Sequence, residues 1–269
     1  MKSLTIAMFL SFCLSLAALA DSQFKALFQQ GETFYIQTKG EKALPFYRQA
    51  LALNRDSLIC QIRIAQCYHM IQEDEEALPF INKVLTKIPD DVSANYVKMT
   101  ILNALGKYEE ALIVGRKIMK TPGTFVDINV EIARSMLNCH KYEEAQKYVT
   151  DQLKISPGHG ALLQVRIKAG IVLGNWEQVA SDCTVAIKAL KPLSPTLVRV
   201  LTDRADAYKH LKKYDLAIKD YQGILAVVHD YRPAHVGLKD IYKLMGNKKM
   251  FDKEMKFLES LDQDSEPPI

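Results

Sequence analysis

The stretch GKYEEAL, Gly106 to Leu112, decides how this chain is read, because versions of it keep returning. HKYEEAQ runs from His140 to Gln146, GNWEQVA from Gly174 to Ala180, KKYDLAI from Lys212 to Ile218, and a blunter QEDEEAL from Gln72 to Leu78. Ala77, Ala111 and Ala145 stand 34 residues apart, and the same step leads back to Ala43 and forward to Val179. Ala217 follows Val179 by 38 residues, and Phe251 follows Ala217 by 34. The four extra residues fall at KPLSPT, Lys191 to Thr196. A fixed period of this size is the signature of a stacked array of small units.

Each unit has the same internal logic. Between Leu58 and Asp91, Ile64, Ala65, Tyr68 and Ile71 form a stripe with helical spacing. QEDE interrupts it. Ala77, Ile81, Val84, Leu85 and Ile88 then form a second amphipathic helix, which PDD ends. Two such short helices cannot bury both apolar stripes alone; stacked on neighbours, they can. In GKYEEAL itself, Gly106 supplies the unusual backbone that ends the first helix. Tyr108 is a wedge over the junction, and Ala111 is small so that the two helices can approach closely. Glu109 and Glu110 lie in a first helical turn, where the helix dipole favours negative charge.

These features resemble the tetratricopeptide repeat family, a helix–turn–helix of 34 residues with small residues at positions 8 and 20. The family also has an aromatic or small residue near position 17 and a proline near 32. Seven units then start at Phe24, Leu58, Val92, Val126, Gly160, Val198 and Arg232. Position 20 is alanine in five; position 17 is Tyr108, Tyr142, Trp176 and Tyr214; position 8 is Gly31, Ala65, Ala133 and Ala205. Pro89 and Pro157 fall on position 32, with Pro122 and Pro192 one residue away. The resemblance implies an all-α, right-handed α-solenoid of about seven helix–turn–helix repeats. The first unit departs with Gly40 at position 17. The last departs with Lys239, Lys248 and Phe251, as a cap shielding the end of a stack would. The expected organisation is a signal peptide at 1–20 and repeats one to five at 21–193. An insertion follows at 194–197, then repeats six and seven with a C-terminal cap at 198–265, and a tail at 266–269.

The leader reading rests on Lys2, the apolar run from Leu4 to Leu19, and Ala18 and Ala20 ahead of Asp21, a small-residue cleavage pattern. The alternative is an uncleaved N-terminal anchor, the single membrane contact the sequence suggests. Export follows: to a periplasm or out of the cell, or in a eukaryote to the secretory lumen or outside. The composition, 48% apolar and 25% charged, is that of a globular protein. The formal net charge of +4 is too mild to point to nucleic acid or to an anionic membrane surface. Beyond Cys13 of the leader, Cys60, Cys67, Cys139 and Cys183 remain. Cys60 and Cys67 lie about 10 Å apart along one helix, too far for a disulfide. Four buried free thiols are therefore expected. No C-x-x-C or H-x-x-x-H pairing suggests zinc.

No catalytic constellation stands out. His69, His140, His159, His210, His229 and His235 are scattered, and the EDEE run at Glu73 to Glu76 reads as a solvated turn. There is no phosphate-binding or dinucleotide-binding glycine loop. The expectation is a non-enzymatic protein, without cofactor or metal, that binds a protein or peptide. In the family, first helices line the concave face through positions 2, 5, 9, 12 and 13. Carried onto this chain, the first units offer Phe28, Tyr35, Ile36, Ile59 and Ile62. His69, Met70, Tyr96 and Asn103 continue the same face, and Arg134, Asn138, Gln164 and Lys168 follow in the middle units. A register shifted by one would put Ile59 or Ile62 in the stack core. Arg199, Asp206, Lys209, His210, Asp240 and Lys243 make the later part mixed in charge. The family's chaperone-binding clamp wants Lys and Asn at positions 5 and 9. Here those positions hold Phe28 and Glu32, then Ile62 and Gln66, so capture of an acidic chaperone terminus is disfavoured. The expected role is an adaptor that holds a partner peptide or helix in the concave groove. The alternative is a scaffold or assembly factor of an envelope complex acting through the convex face or the ends.

Overall fold

The structure is a computed structural model that describes residues 2–120, 126–192 and 194–263. The expected tail at 266–269 lies outside the described residues, as do Pro122 and Leu193. The side chains of residues 1–18, on which the leader reading rests, lie outside them too. Everything described is helix, turn or short connection.

The chain divides into two compact units, Met1–Ser135 and Met136–Ile269. The first holds α1 (Lys2–Ile36), α2 (Gly40–Leu53), α3 (Leu58–Met70), α4 (Asp74–Lys87), α5 (Val92–Ala104), α6 (Tyr108–Ile118) and most of α7 (Val126–Asn138). The second holds the end of α7, then α8 (Tyr142–Ile155), α9 (Gly160–Leu173), α10 (Trp176–Ile187) and α11 (Pro195–His210). α12 (Tyr214–Leu225), α13 (Arg232–Leu244) and α14 (Lys248–Gln263) complete it. The second helices from α2 to α10 begin 34 residues apart, as the alanine ladder predicts.

The turn inside each helix pair is the same device every time. A residue one or two positions past the first helix is left-handed: Gly106 and Gly174 at φ 72°, Gly246 at φ 69°, and also Thr38, Gln72, His140 and Lys212 at φ between 57° and 63°. The next backbone N–H reaches back to an otherwise orphaned carbonyl, as in Lys107 to Leu102 (2.9 Å) and Asn175 to Gly170 (2.8 Å). This closes the helix C-terminus and launches α2, α4, α6, α8, α10 and α12 without a side-chain cap, whereas the Asn247 side chain caps α14 by accepting from the Met250 backbone N–H at 3.2 Å. First helices start differently. Ser57, Asp91, His159 and Ser194 each accept a bond from the backbone N–H three residues on.

The close-approach alanines behave as expected. Ala43, Ala77, Ala111, Ala145, Val179 and Ala217 are fully buried. Gly31 has no room for a side chain: a Cβ there would sit 2.7 Å from the ring of Tyr47. Gly40 is buried rather than wedged, and a Cβ would meet the Cys67 carbonyl and the Met70 side chain at 3.0 Å. α2 therefore packs closely on α3 where other units carry a tyrosine. The four extra residues at KPLSPT lengthen both α11 and the connection before it, which has seven residues (188–194) where four (156–159) join α8 to α9. α11 has 16 residues where α9 has 14, starts at Pro195 in the first turn, and is capped by the Ser194 hydroxyl.

The thiol expectation needs one correction. No disulfide joins Cys60, Cys67, Cys139 and Cys183, but only Cys60, Cys67 and Cys183 are buried; Cys139 is half-buried. It sits past the last residue of α7, next to left-handed His140, where the chain leaves the stack.

The second unit also contains a repeated polar clamp that hydrophobic periodicity does not reveal. Arg166 donates two bonds to the carboxylate of Asp182 (2.8 and 2.6 Å) and one to the Thr150 hydroxyl (3.1 Å). One repeat later, Arg204 does the same to Asp220 (2.8 and 2.7 Å) and Thr184 (3.2 Å). Asp182 and Asp220 are buried. Each clamp ties three successive helices by forked, charge-assisted bonds that fix their register.

Candidate partner-binding face

In the first unit the first helices α1, α3 and α5 bring the expected residues to one face, with unequal exposure. Ile36 is 76% exposed, Ile59 44% and Met70 37%. Phe28, Tyr35 and Ile62 are half-buried and pack against the core. Phe28 meets the buried ring of Tyr47 edge-on at 5.5 Å. Ile59 thus stands free, and Ile62 serves both the core and the surface.

Charge on this face is already matched. Arg63 of α3 donates to both carboxylate oxygens of Glu32 of α1 (2.6 and 3.0 Å), and the Tyr47 hydroxyl donates to the same carboxylate. The Arg63 guanidinium also lies 4.5 Å over the Tyr35 ring, a cation–π contact. Burial alone would raise the Glu32 pKa, but the bonds from Arg63 and Tyr47 and the nearby positive charge outweigh it and hold it below the ordinary carboxylate value. The Tyr47 phenol is pushed far upward by burial and by its bond to Glu32. Glu32 and Arg63 escape a periodicity reading, because they are 31 residues apart in different helices.

His69 is half-buried, with Nδ1 2.5 Å from a carboxylate oxygen of Asp74 in the first turn of α4. Tyr96 is half-buried, its phenol pushed up by burial and by the Glu131 and Asp127 carboxylates. Asn103 joins α5 to α7, accepting a bond from the Ser135 hydroxyl at 3.0 Å. Arg134 is exposed and paired with Glu131 at 2.5 Å. The first unit therefore presents aliphatic and aromatic surface whose ionic groups are mutually neutralised.

Asn138 and Lys168 belong to the second unit; Lys168 is exposed and Asn138 lies at the last residue of α7. There the face is ionic. Asp203 is raised above the usual carboxylate value by burial and by the neighbouring Asp206, although Arg199 and Lys168 oppose this. Trp176, the one tryptophan of the chain, stacks on His210 with ring centroids 3.9 Å apart. Among the described residues no group of His, Cys, Asp and Glu could hold a metal ion. Nor is any described helix long and apolar enough to cross a membrane.

Helix pairs of constant length, closed by a left-handed residue and stacked through a ladder of small residues, define a helical-repeat protein. A tetratricopeptide repeat model matches residues 198–226. A tetratricopeptide repeat protein of Cytophaga hutchinsonii superposes with a TM-score of 0.71, at 16% identity, over 88% of this chain and 95% of that one. YrrB, described as a tetratricopeptide repeat protein with an unusual peptide-binding site, superposes with a TM-score of 0.59, at 15% identity, over 70% of this chain and 95% of that one. One repeat of the chain thus matches the tetratricopeptide repeat model, and its fold is that of tetratricopeptide repeat proteins. It is 26% identical over 259 residues to DnaJ homolog subfamily C member 3 of Gallus gallus, across 86% of this chain and about half (51%) of that relative's length. Proteins of the family generally serve protein–protein interaction.

Proposed function

We propose that this chain is a non-enzymatic adaptor that binds a peptide segment or helix of a partner protein on the first-helix face of its N-terminal unit. One observation carries the reading: Ile36, Ile59 and Met70 stand exposed on a face whose ionic groups, Glu32 with Arg63 and Glu131 with Arg134, already satisfy each other. Exposed apolar surface of this kind marks interaction sites. A partner with an apolar stripe gains from covering it and strands no charge. The unusual peptide-binding site described for YrrB lends support by analogy of fold.

A scaffold acting through the second helices is the other reading, favoured by Ile113 of α6, which is 70% exposed. We also propose that the protein is exported, on the strength of Lys2, the apolar run to Leu19 and the Ala18–Ala20 pattern.

Photo-crosslinking amino acids placed singly at Ile36, Ile59 and Ile113 in the native host distinguish the two binding readings. A partner captured from Ile36 and Ile59 and not from Ile113 supports the adaptor. Capture from Ile113 alone replaces it with the scaffold.

A further inference from the structure

The arginine clamp of the second unit is missing at the last helix pair. Its three positions recur in register: Thr150, Arg166 and Asp182, then Thr184, Arg204 and Asp220. The next set is Gln222 of α12, Leu238 of α13 and Glu254 of α14. Gln222 stands ninth in its helix, as Thr150 and Thr184 do in theirs, and Leu238 and Glu254 keep the 16-residue spacing of Arg166 and Asp182. With leucine in the arginine's place, the forked bridge cannot form. The buried Glu254 carboxylate turns instead to His235, whose ring nitrogens face it at 2.6 Å and the His229 carbonyl at 2.8 Å.

All three positions line one cavity of about 540 Å³, bounded otherwise mainly by apolar Leu225, Tyr242, Met250 and Phe257. Ligand sites span about 300–1,000 Å³. The matching groove between α8 and α10, where a clamp is present, has polar walls of Gln146, Thr150, Asn175 and Gln178. The apolar opening therefore lies where the clamp has been lost.

Its charges decide what fills it. On the floor, Glu254 is already paired with His235, so an incoming cation finds no free carboxylate. On the rim, Lys253 and Lys256 are exposed and have no carboxylate partner among the described residues. They stand three apart on α14 and so are neighbours on its surface. A fatty acid would bring one carboxylate for two lysines; an acidic peptide brings one for each. We propose that this cavity binds an acidic peptide segment of a partner protein. One large aliphatic or aromatic side chain enters between Leu238, Met250 and Phe257, and flanking acidic residues pair with Lys253 and Lys256. The site lies wholly in the second unit and is independent of the partner-binding face of the first.

Methionine methyl NMR on the full chain tests it, with Met250 assigned through Met250→Leu and buried Met99 and Met136 as references. The probes are the end-blocked peptides DEFED, DEAED and KKFKK, and octanoate. DEFED is expected to move the Met250 resonance saturably at up to millimolar concentration, and the other two peptides to leave it in place. Lys253→Glu with Lys256→Glu, both exposed positions, should weaken DEFED binding on the order of tenfold. Leu238→Arg, which restores the clamp residue opposite Glu254, should fill the cavity and abolish the response. A Met250 resonance unmoved by DEFED overturns the proposal, as does an equal response to KKFKK or to DEAED. Unchanged affinity after the lysine reversal, or in a folded Leu238→Arg variant, overturns it too. Saturation by octanoate at a lower concentration than DEFED gives the cavity to a lipid acid instead. A Met250 position that changes with protein concentration, with no peptide present, gives it to a second copy.

Discussion

Ala111 is fully buried in the ladder of small residues. Ala111→Leu is expected to destabilise by about 1–3 kcal/mol through overpacking. An unchanged denaturant midpoint would remove that packing role. The left-handed turn positions predict the opposite sign. A side chain there costs roughly 1 kcal/mol that glycine avoids. His140→Gly and Lys212→Gly should each therefore stabilise, by up to about 1 kcal/mol; His140 also contacts the Tyr142 hydroxyl at 2.7 Å, so Lys212 is the cleaner site. Glu32→Gln has a pH signature. Because the Glu32 carboxyl is held below its ordinary value, its contribution is present above the unfolded value, near 4.3, and is lost as pH falls through the folded value. The variant should be weaker than the parent by about 1–2 kcal/mol at neutral pH, and the gap should close in acid. Urea melts at pH 7 and pH 3 check this; a gap that is equal at both would show that the charge is not what matters.

At the scale of elements, the arginine clamps hold α8, α9 and α10 together, and then α10, α11 and α12. Arg204→Ala leaves the buried Asp220 carboxylate unpaired and is expected to cost about 3 kcal/mol. Arg204→Met with Asp220→Leu should recover most of that loss; a double variant as weak as the single one would argue that the clamp's geometry, not its uncompensated charge, is decisive. These clamps were hidden from a reading based on apolar periodicity, since Arg and Asp on helix surfaces look solvated until a neighbouring helix covers them. The helix pairs themselves were legible. Their starts at Leu58, Val92, Val126, Gly160 and Arg232 coincide with the register set by alanine, because one backbone geometry with one close contact per unit leaves a strict 34-residue trace. The sixth pair starts at Pro195 rather than Val198, because Ser194 and Pro195 together nucleate an added turn that repeat arithmetic does not register.

For the molecule as a whole, stability in a helical array is a sum of local terms and nearest-neighbour interfaces. Arg204→Ala should therefore raise amide exchange in α11 to α13 before it does so in α3 to α5, and mass-resolved exchange reads this directly. Uniform acceleration along the chain would mean a single cooperative block.

The sequence by itself determined the helix pairs, their period and the small residues between them, since each follows from local backbone geometry and a contact made within one unit. It also placed Ile36, Ile59 and Met70 on a surface position. Only the tertiary structure decided that Phe28 and Ile62 lean on the core, that Glu32 and Arg63 neutralise each other beside Tyr35, and that Cys139 lies at the edge. Those are long-range facts. Burial and charge compensation depend on which helix covers a residue, and for Glu32 and Arg63 that neighbour lies 31 residues away along the chain.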